Sequence, residues 1–166
     1  IRGRASPLFD GNGKWVGAIE SVRDITERKN VEEALRASEE KYRSVVESVD
    51  FSVSLINREF CYVGCNRKYL ELLGYSAEDI TGLPITDVIK YPDEKEFYLK
   101  NLQKIFENGK LETREQELYV NGKKTWYNVT MTPVFDTDGN VSAVTCIGID
   151  ITKRKRAEQA LQKSEK

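Results

Sequence analysis

The chain has 166 residues, enough for one ordinary domain core with segments left over, because domains cluster near roughly 100 to 150 residues. Its 26 basic and 27 acidic side chains nearly cancel to a net charge of −1, so no strong field draws it to nucleic acid or to an anionic membrane. No apolar run approaches the ~18 to 20 residues of a membrane span, and the lack of histidine removes the usual haem and zinc ligand, the usual general base and any phosphoacceptor histidine.

The N-terminus carries none of the charged, apolar and cleavage regions of a signal peptide, and the chain opens on Ile1 and closes inside a charged helical run. It reads as an excerpt of a longer protein. A repeat organises it. Residues 6 to 40 align without a gap to residues 132 to 166, with roughly 14 of the 35 aligned positions identical. Pro7 and Pro133, Phe9 and Phe135, Asp10 and Asp136, Gly13 and Gly139, and the triplets Asp24-Ile25-Thr26 and Asp150-Ile151-Thr152 all match. The repeated unit is a strand end, a Gly/Asn/Asp turn, an apolar strand and a charged helix, which is the end of a domain joined to a connector. Residues 1–27 are therefore expected to be the last hairpin of a preceding domain, with two open strand edges that call for a partner.

A helix is expected from Arg28 to about Val49, and Val31, Leu35, Ser38, Tyr42, Val45 and Val49 form a seam of alternating four- and three-residue spacing. Such a seam serves pairing with a second copy or packing on the exposed side of a sheet. Phe51, Val53 and Leu55 alternate with Ser52 and Ser54, which predicts a strand whose buried face is apolar. A second strand, Phe60 to Cys65, follows an Asn57-Arg58-Glu59 turn. Asn66 is placed to cap a helix that stops at Gly74, and Ser76 opens a second short turn broken by Gly82-Leu83-Pro84. Pro92 opens a longer helix that ends at Asn108-Gly109. Strands are predicted near 112–120, 124–134 and 141–149, the first two joined by Asn121-Gly122 as a type I′ turn.

Cys61, Cys65 and Cys146 are an odd number without framework spacing, which favours reduced thiols and a cytoplasmic setting. Cys61 and Cys65 are expected on one strand, too far apart for a disulfide, and inert buried thiols are expected in preference to a redox sensor. The Asp and Gly turns at Asp10 and Asp136 lack EF-hand spacing, so no metal site is expected. There is no phosphate-binding Gly-rich loop and no nucleophile and base pair, so no catalytic residue is assigned to this segment.

The order of elements resembles the PAS fold over roughly residues 46–152. The resemblance rests on Asn57-Arg58-Glu59 shortly before Asn66, Leu72-Leu73-Gly74-Tyr75-Ser76, Glu78-Asp79-Ile80 followed by Gly82, Asn121-Gly122 ahead of Trp126, Thr132-Pro133 ahead of Asp136, and the duplicated closing triplet. It implies an α+β fold, a five-stranded antiparallel sheet with helices on one face, flanked by signalling helices. The implied organisation is 1–27 the end of a preceding PAS domain, 28–45 a coiled-coil-like linker helix, 46–152 a complete PAS domain and 153–166 the start of the next linker helix. The implied role is a non-catalytic sensory and dimerisation module. A sensor histidine kinase of a two-component phosphorelay is the implied parent, with neighbouring PAS and kinase or other output domains as partners.

Members that bind haem generally use a histidine on the long helix; here haem would have to take Tyr98, Cys65 or Met131, and it is not expected. Photoactive flavin members carry a cysteine on the short helix where this chain reads Leu83-Pro84-Ile85-Thr86-Asp87-Val88, so flavin photochemistry is not expected either. A small organic ligand would lie among Val53, Leu55, Val63, Asn66, Tyr69, Leu73, Ile80, Phe97 and Trp126. The alternative is that these residues simply fill a core and the domain is a structural spacer. Alternation leaves open whether Trp126, Asn128 and Thr130 or Tyr127, Val129 and Met131 face inward. For transmission the candidates are Asp150, Ile151 and Thr152 with Asp24 and Thr26 in the first copy. There a carboxylate meets the free N–H groups of a new helix and Thr152 can act as an N-cap. Lys153 to Arg156 can pair with an acidic patch near the junction, with a solvated charge run as the default reading.

Overall fold

The computed structural model describes residues 2–120 and 122–164, and the chain divides into two compact units, Ile1–Val45 and Val46–Lys166. In the first unit β1 (Arg2–Phe9) pairs antiparallel with β2 (Trp15–Arg23), and α1 (Thr26–Ser48) follows. The helix starts two residues earlier than its charge pattern predicts, because Asp24 Oδ1 accepts the Thr26 N–H at 2.9 Å and so caps the first turn. Val49 lies just beyond its end.

The second unit runs through β3 (Ser52–Asn57), β4 (Tyr62–Cys65), α2 (Arg67–Leu73), α3 (Ala77–Ile80), α4 (Ile85–Val88), α5 (Pro92–Asn108), β5 (Glu112–Val120), β6 (Lys123–Phe135), β7 (Val141–Asp150) and α6 (Thr152–Ser164). Its strands form one antiparallel sheet in the order β4-β3-β7-β6-β5. The capping signals act as their chemistry requires. Asn66 and Ser76 accept helix N–H groups from Tyr69 and Asp79, while Gly74 and Gly109 close α2 and α5 at φ values of 73° and 64°. Asn121 of the expected Asn121-Gly122 turn lies outside the described residues; Gly122 has φ 75°.

The repeat is structural as well as sequential. Pro7 faces Ala18 as Pro133 faces Val144, Leu8 faces Gly17 as Val134 faces Ala143, and the register shift falls at Leu8/Phe9 in one hairpin and at Val134/Phe135 in the other. The turns match too: Asp10 Oδ1 accepts the Asn12 and Lys14 N–H groups, and Asp136 Oδ1 those of Asp138 and Asn140.

The helices cover one face of the sheet, and the core lies there, with Ile56, Tyr62, Ile80, Leu102, Ile105 and Val144 among its buried members. β3 corrects the expectation of an apolar buried face. Ser52 and Ser54 point into the core at 6% and 2% exposure, whereas Val53 and Leu55 lie on the other face. The serines are tolerated because Ser52 Oγ donates to the Gly148 carbonyl at 3.0 Å and Ser54 hydrogen-bonds the Cys146 thiol. On β6 the inward set is Tyr127, Val129 and Met131.

Candidate functional site

Nine residues were candidates for an internal ligand pocket, and the sheet divides them. Tyr69, Leu73, Ile80 and Phe97 belong to the helix-covered core. Val53, Leu55 and Trp126 occupy the opposite face, and Val63 is 47% exposed. These four do not line an interior pocket. The one-residue change of face is sufficient cause, since side chains alternate strictly along a strand.

Asn66 is buried at 1% exposure and fully engaged. Its Oδ1 accepts the N–H groups of Val53 (2.9 Å) and Tyr69 (3.1 Å), and its Nδ2 donates to the carbonyls of Phe51 (2.9 Å) and Val46 (3.2 Å). It is a joint between the last turn of α1, β3 and α2 rather than a free polar group. Beside it the Arg67 N–H donates to Glu47 Oε2 at 2.7 Å, and Lys68 pairs with Asp50 at 2.7 Å.

The interior that remains is more polar than its apolar lining predicts. Cys65 and Cys146 stand on either side of Ser54, each in register with it. Burial pushes both thiols up to about 12, which keeps them protonated and unreactive at neutral pH. Tyr62 and Tyr69 share a hydrogen bond between their hydroxyls at 2.8 Å, and burial raises the phenols of Tyr62, Tyr69 and Tyr98 well above their ordinary range. Tyr62 and Ser54 escape a search for apolar alternation because one carries a hydroxyl and the other is small.

The second candidate region is the junction where β7 becomes α6. Asp150 Oδ1 accepts the Thr152 N–H at 2.8 Å. Thr152 is the first residue of the helix and not its N-cap; its Oγ1 instead accepts the Trp126 N–H at 3.2 Å, while the Ile151 N–H donates to the Trp126 carbonyl at 2.9 Å. The helix is thereby stitched to β6. Glu115 on β5 holds it a second time, pairing with Arg154 at 2.5 Å and Lys155 at 2.7 Å, and the Lys155 ammonium sits 5.1 Å from the centre of the Trp126 ring. Lys155, followed by Arg154, holds the Glu115 carboxyl below its usual range. These two bases are therefore anchors and not a merely solvated run. Glu115 was invisible in the sequence because its partners lie 39 residues away or more. β3 begins at Ser52, opposite Gly148 and so two residues from Asp150, which puts the incoming and outgoing helix junctions at one end of adjacent strands.

In the first unit Asp24 and Thr26 repeat the cap of the second, and the Thr26 hydrogen bonds hold the Asp24 carboxyl low. Val31, Leu35, Tyr42 and Val45 on α1 are exposed, Tyr42 by 69%, whereas Val49 is half-buried. Such a row of apolar side chains fits a helix-pairing seam.

A family model described as the PAS fold matches residues 40–151. Among curated proteins, the chain is 29% identical over 123 residues to the aerobic respiration control sensor protein ArcB of Escherichia coli, covering 74% of this chain and 16% of that protein. It is 26% identical over 163 residues to the two-component sensor PprA of Pseudomonas aeruginosa, covering 98% of this chain and 18% of that one. The chain thus spans less than a fifth of the length of these relatives. Among solved structures, the PAS domain of Bordetella pertussis BvgS is 19% identical with a TM-score of 0.61, covering 78% of this chain and 97% of that one. A PAS domain from Colwellia psychrerythraea is 21% identical with a TM-score of 0.58, covering 69% and 97%.

Proposed function

The chain belongs to the PAS family, and from that premise we propose that residues 46–152 are a non-catalytic sensory relay. It takes a signal at the end of α1 and passes it through the sheet to α6. The observation that carries this reading is the β7–α6 junction, where Asp150, Thr152, Trp126 and the Glu115 pairs tie one helix to three strands. Each contact there is individually weak beside the core it rests on, so a modest rearrangement of the sheet is able to loosen or tighten the helix. Residues 1–27 are the closing hairpin of a preceding PAS domain, and the shared register of the two hairpins supports that assignment. The exposed α1 seam supports homodimerisation, and similarity to two-component sensors supports a histidine kinase parent in the cytoplasm whose catalytic domains lie outside this chain. No cofactor is assigned to the interior; if a ligand is taken there, it is a small organic molecule rather than haem or a photoactive flavin.

A spacer role is the second reading, favoured by the complete internal hydrogen bonding of Asn66 and by Tyr62 and Tyr69 satisfying each other in the core. Native mass spectrometry of the purified chain separates the two. A dimer that releases a small molecule on denaturation supports the sensory reading, a ligand-free dimer supports the spacer, and a ligand-free monomer defeats the dimeric relay.

A further inference from the structure

Beside the N-terminus of α5, the last turn of α2, the segment from Val88 to Tyr91 and the β5–β6 turn enclose a surface cleft of about 160 Å³. That is about half of the roughly 300 Å³ at which small-molecule pockets begin, so it has room for one side chain and not for a whole ligand. Leu72, Leu73 and Ile89 make the cleft apolar, and the rings of Tyr91 and Tyr119 stack in its lining with centres 4.2 Å apart. One carboxylate stands among them. Glu94 is half-buried, and its Oε1 accepts the backbone N–H of Tyr119 on the edge strand β5. Burial raises its carboxyl above the ordinary 4.5, and only the Tyr119 N–H opposes the rise. The glutamates of β5 differ: Glu112 pairs with Lys104, Glu115 with Arg154 and Lys155, and Glu117 with Lys124. Glu94 forms no ion pair among the described residues. A carboxylate withdrawn from water with its second oxygen unengaged is a charge that a cation from outside can satisfy.

We propose that this cleft docks a lysine side chain presented by a segment of a partner protein, with the ammonium on Glu94 Oε2 and the methylene stem along Leu72, Leu73 and Ile89. Charge selects a cation, and the apolar walls select one carried on a hydrocarbon stem. The single oxygen left on Glu94 selects lysine over arginine. An ammonium is a point charge that one oxygen serves, whereas a guanidinium is matched best by both oxygens of a carboxylate, and Oε1 is already taken by Tyr119. The charged and titratable groups facing Glu94 are Asp93 and Tyr98 on α5, Lys90 and Tyr91 ahead of it, Glu117 and Tyr119 on β5 and Lys124 on β6; α2 faces it with leucines. Docking there is independent of the relay proposed above.

The test is an NMR titration of the isotopically labelled chain with three capped peptides, acetyl-Leu-Lys-Leu-amide and its counterparts with norleucine or arginine in the middle. The lysine peptide is expected to shift the amides of Tyr91, Glu94 and Tyr119 saturably. The norleucine peptide, and the lysine peptide against Glu94→Gln, are expected to bind at least roughly tenfold more weakly, and the arginine peptide more weakly than lysine. Glu107→Gln, on the last turn of α5 and outside the cleft, leaves binding unchanged. A second readout needs no variant. Because the ammonium favours the charged carboxylate, bound lysine peptide is expected to lower the Glu94 side-chain titration midpoint by about one pH unit, and its affinity falls as pH drops through that midpoint. The proposal is overturned if lysine and norleucine peptides bind alike, if arginine binds as tightly as lysine, if the Glu94 midpoint does not move, or if the lysine peptide fails to saturate below about 10 mM. Shifts at Tyr91 and Tyr119 that follow protein concentration without any peptide would put a second copy in the cleft and overturn it equally.

Discussion

Glycine at position 148 is a requirement of the serine-lined face. A Cβ there would stand 2.6 Å from Ser52 Oγ and 3.4 Å from Tyr127 Cδ1, so the strand carrying the output junction has room for a hydrogen only. Gly148→Ala is expected to cost about 1 to 3 kcal/mol in urea unfolding through overpacking. Ser52→Ala made in the same chain removes the clashing oxygen and is expected to return most of that loss, with a coupling of at least about 1 kcal/mol between the two positions. Additive costs would mean that the serine is not what limits the space. The same pair explains why alternation misassigned β3: a small residue that hydrogen-bonds across to a glycine is as good a core residue as valine at that point.

At the scale of elements, α6 is held by its cap and by a carboxylate on a different strand, and the second hold titrates. Glu115 has its folded-state pKa depressed below the ordinary 4.5 by Lys155 and Arg154. Its contribution is therefore present above the unfolded value and is lost as pH falls through the folded one. Hydrogen exchange along α6 is expected to rise on acidification below about 4.5 while the central strands stay protected. Glu115→Gln is expected to raise it at neutral pH and to abolish the acid step. An acid step that persists in Glu115→Gln would assign the titration elsewhere. The cap half of this joint was readable in Asp150-Ile151-Thr152, since local side chain to backbone bonds need only sequence neighbours. The Glu115 half was not, because an ion pair between distant segments leaves no periodic trace.

For the molecule as a whole, the division at Val46 has an energetic meaning. The core of the second unit and the hydrogen bonds of Asn66, including that to the Val46 carbonyl, are internal to Val46–Lys166. A chain starting at Val46 is expected to unfold in one cooperative transition, with a melting midpoint within about 3 °C of the same unit in the full chain. A broad or strongly lowered transition in the truncated chain would show that the first unit contributes to the core. The first hairpin, by contrast, repeats the register of β6 and β7, strands that in the second unit sit between β5 and β3.

The order of strands and helices, the caps at Asn66, Ser76 and Gly109, the closing triplet and the duplication were all determined by the sequence itself, because turn chemistry, capping and periodicity act between near neighbours. The core face of β3 and β6, the engagement of Asn66 at four sites and the anchoring of α6 by Glu115 were decided only by the tertiary structure. Each depends on which face of the sheet the helices cover, and alternation reveals that a strand has two faces without revealing which one is covered.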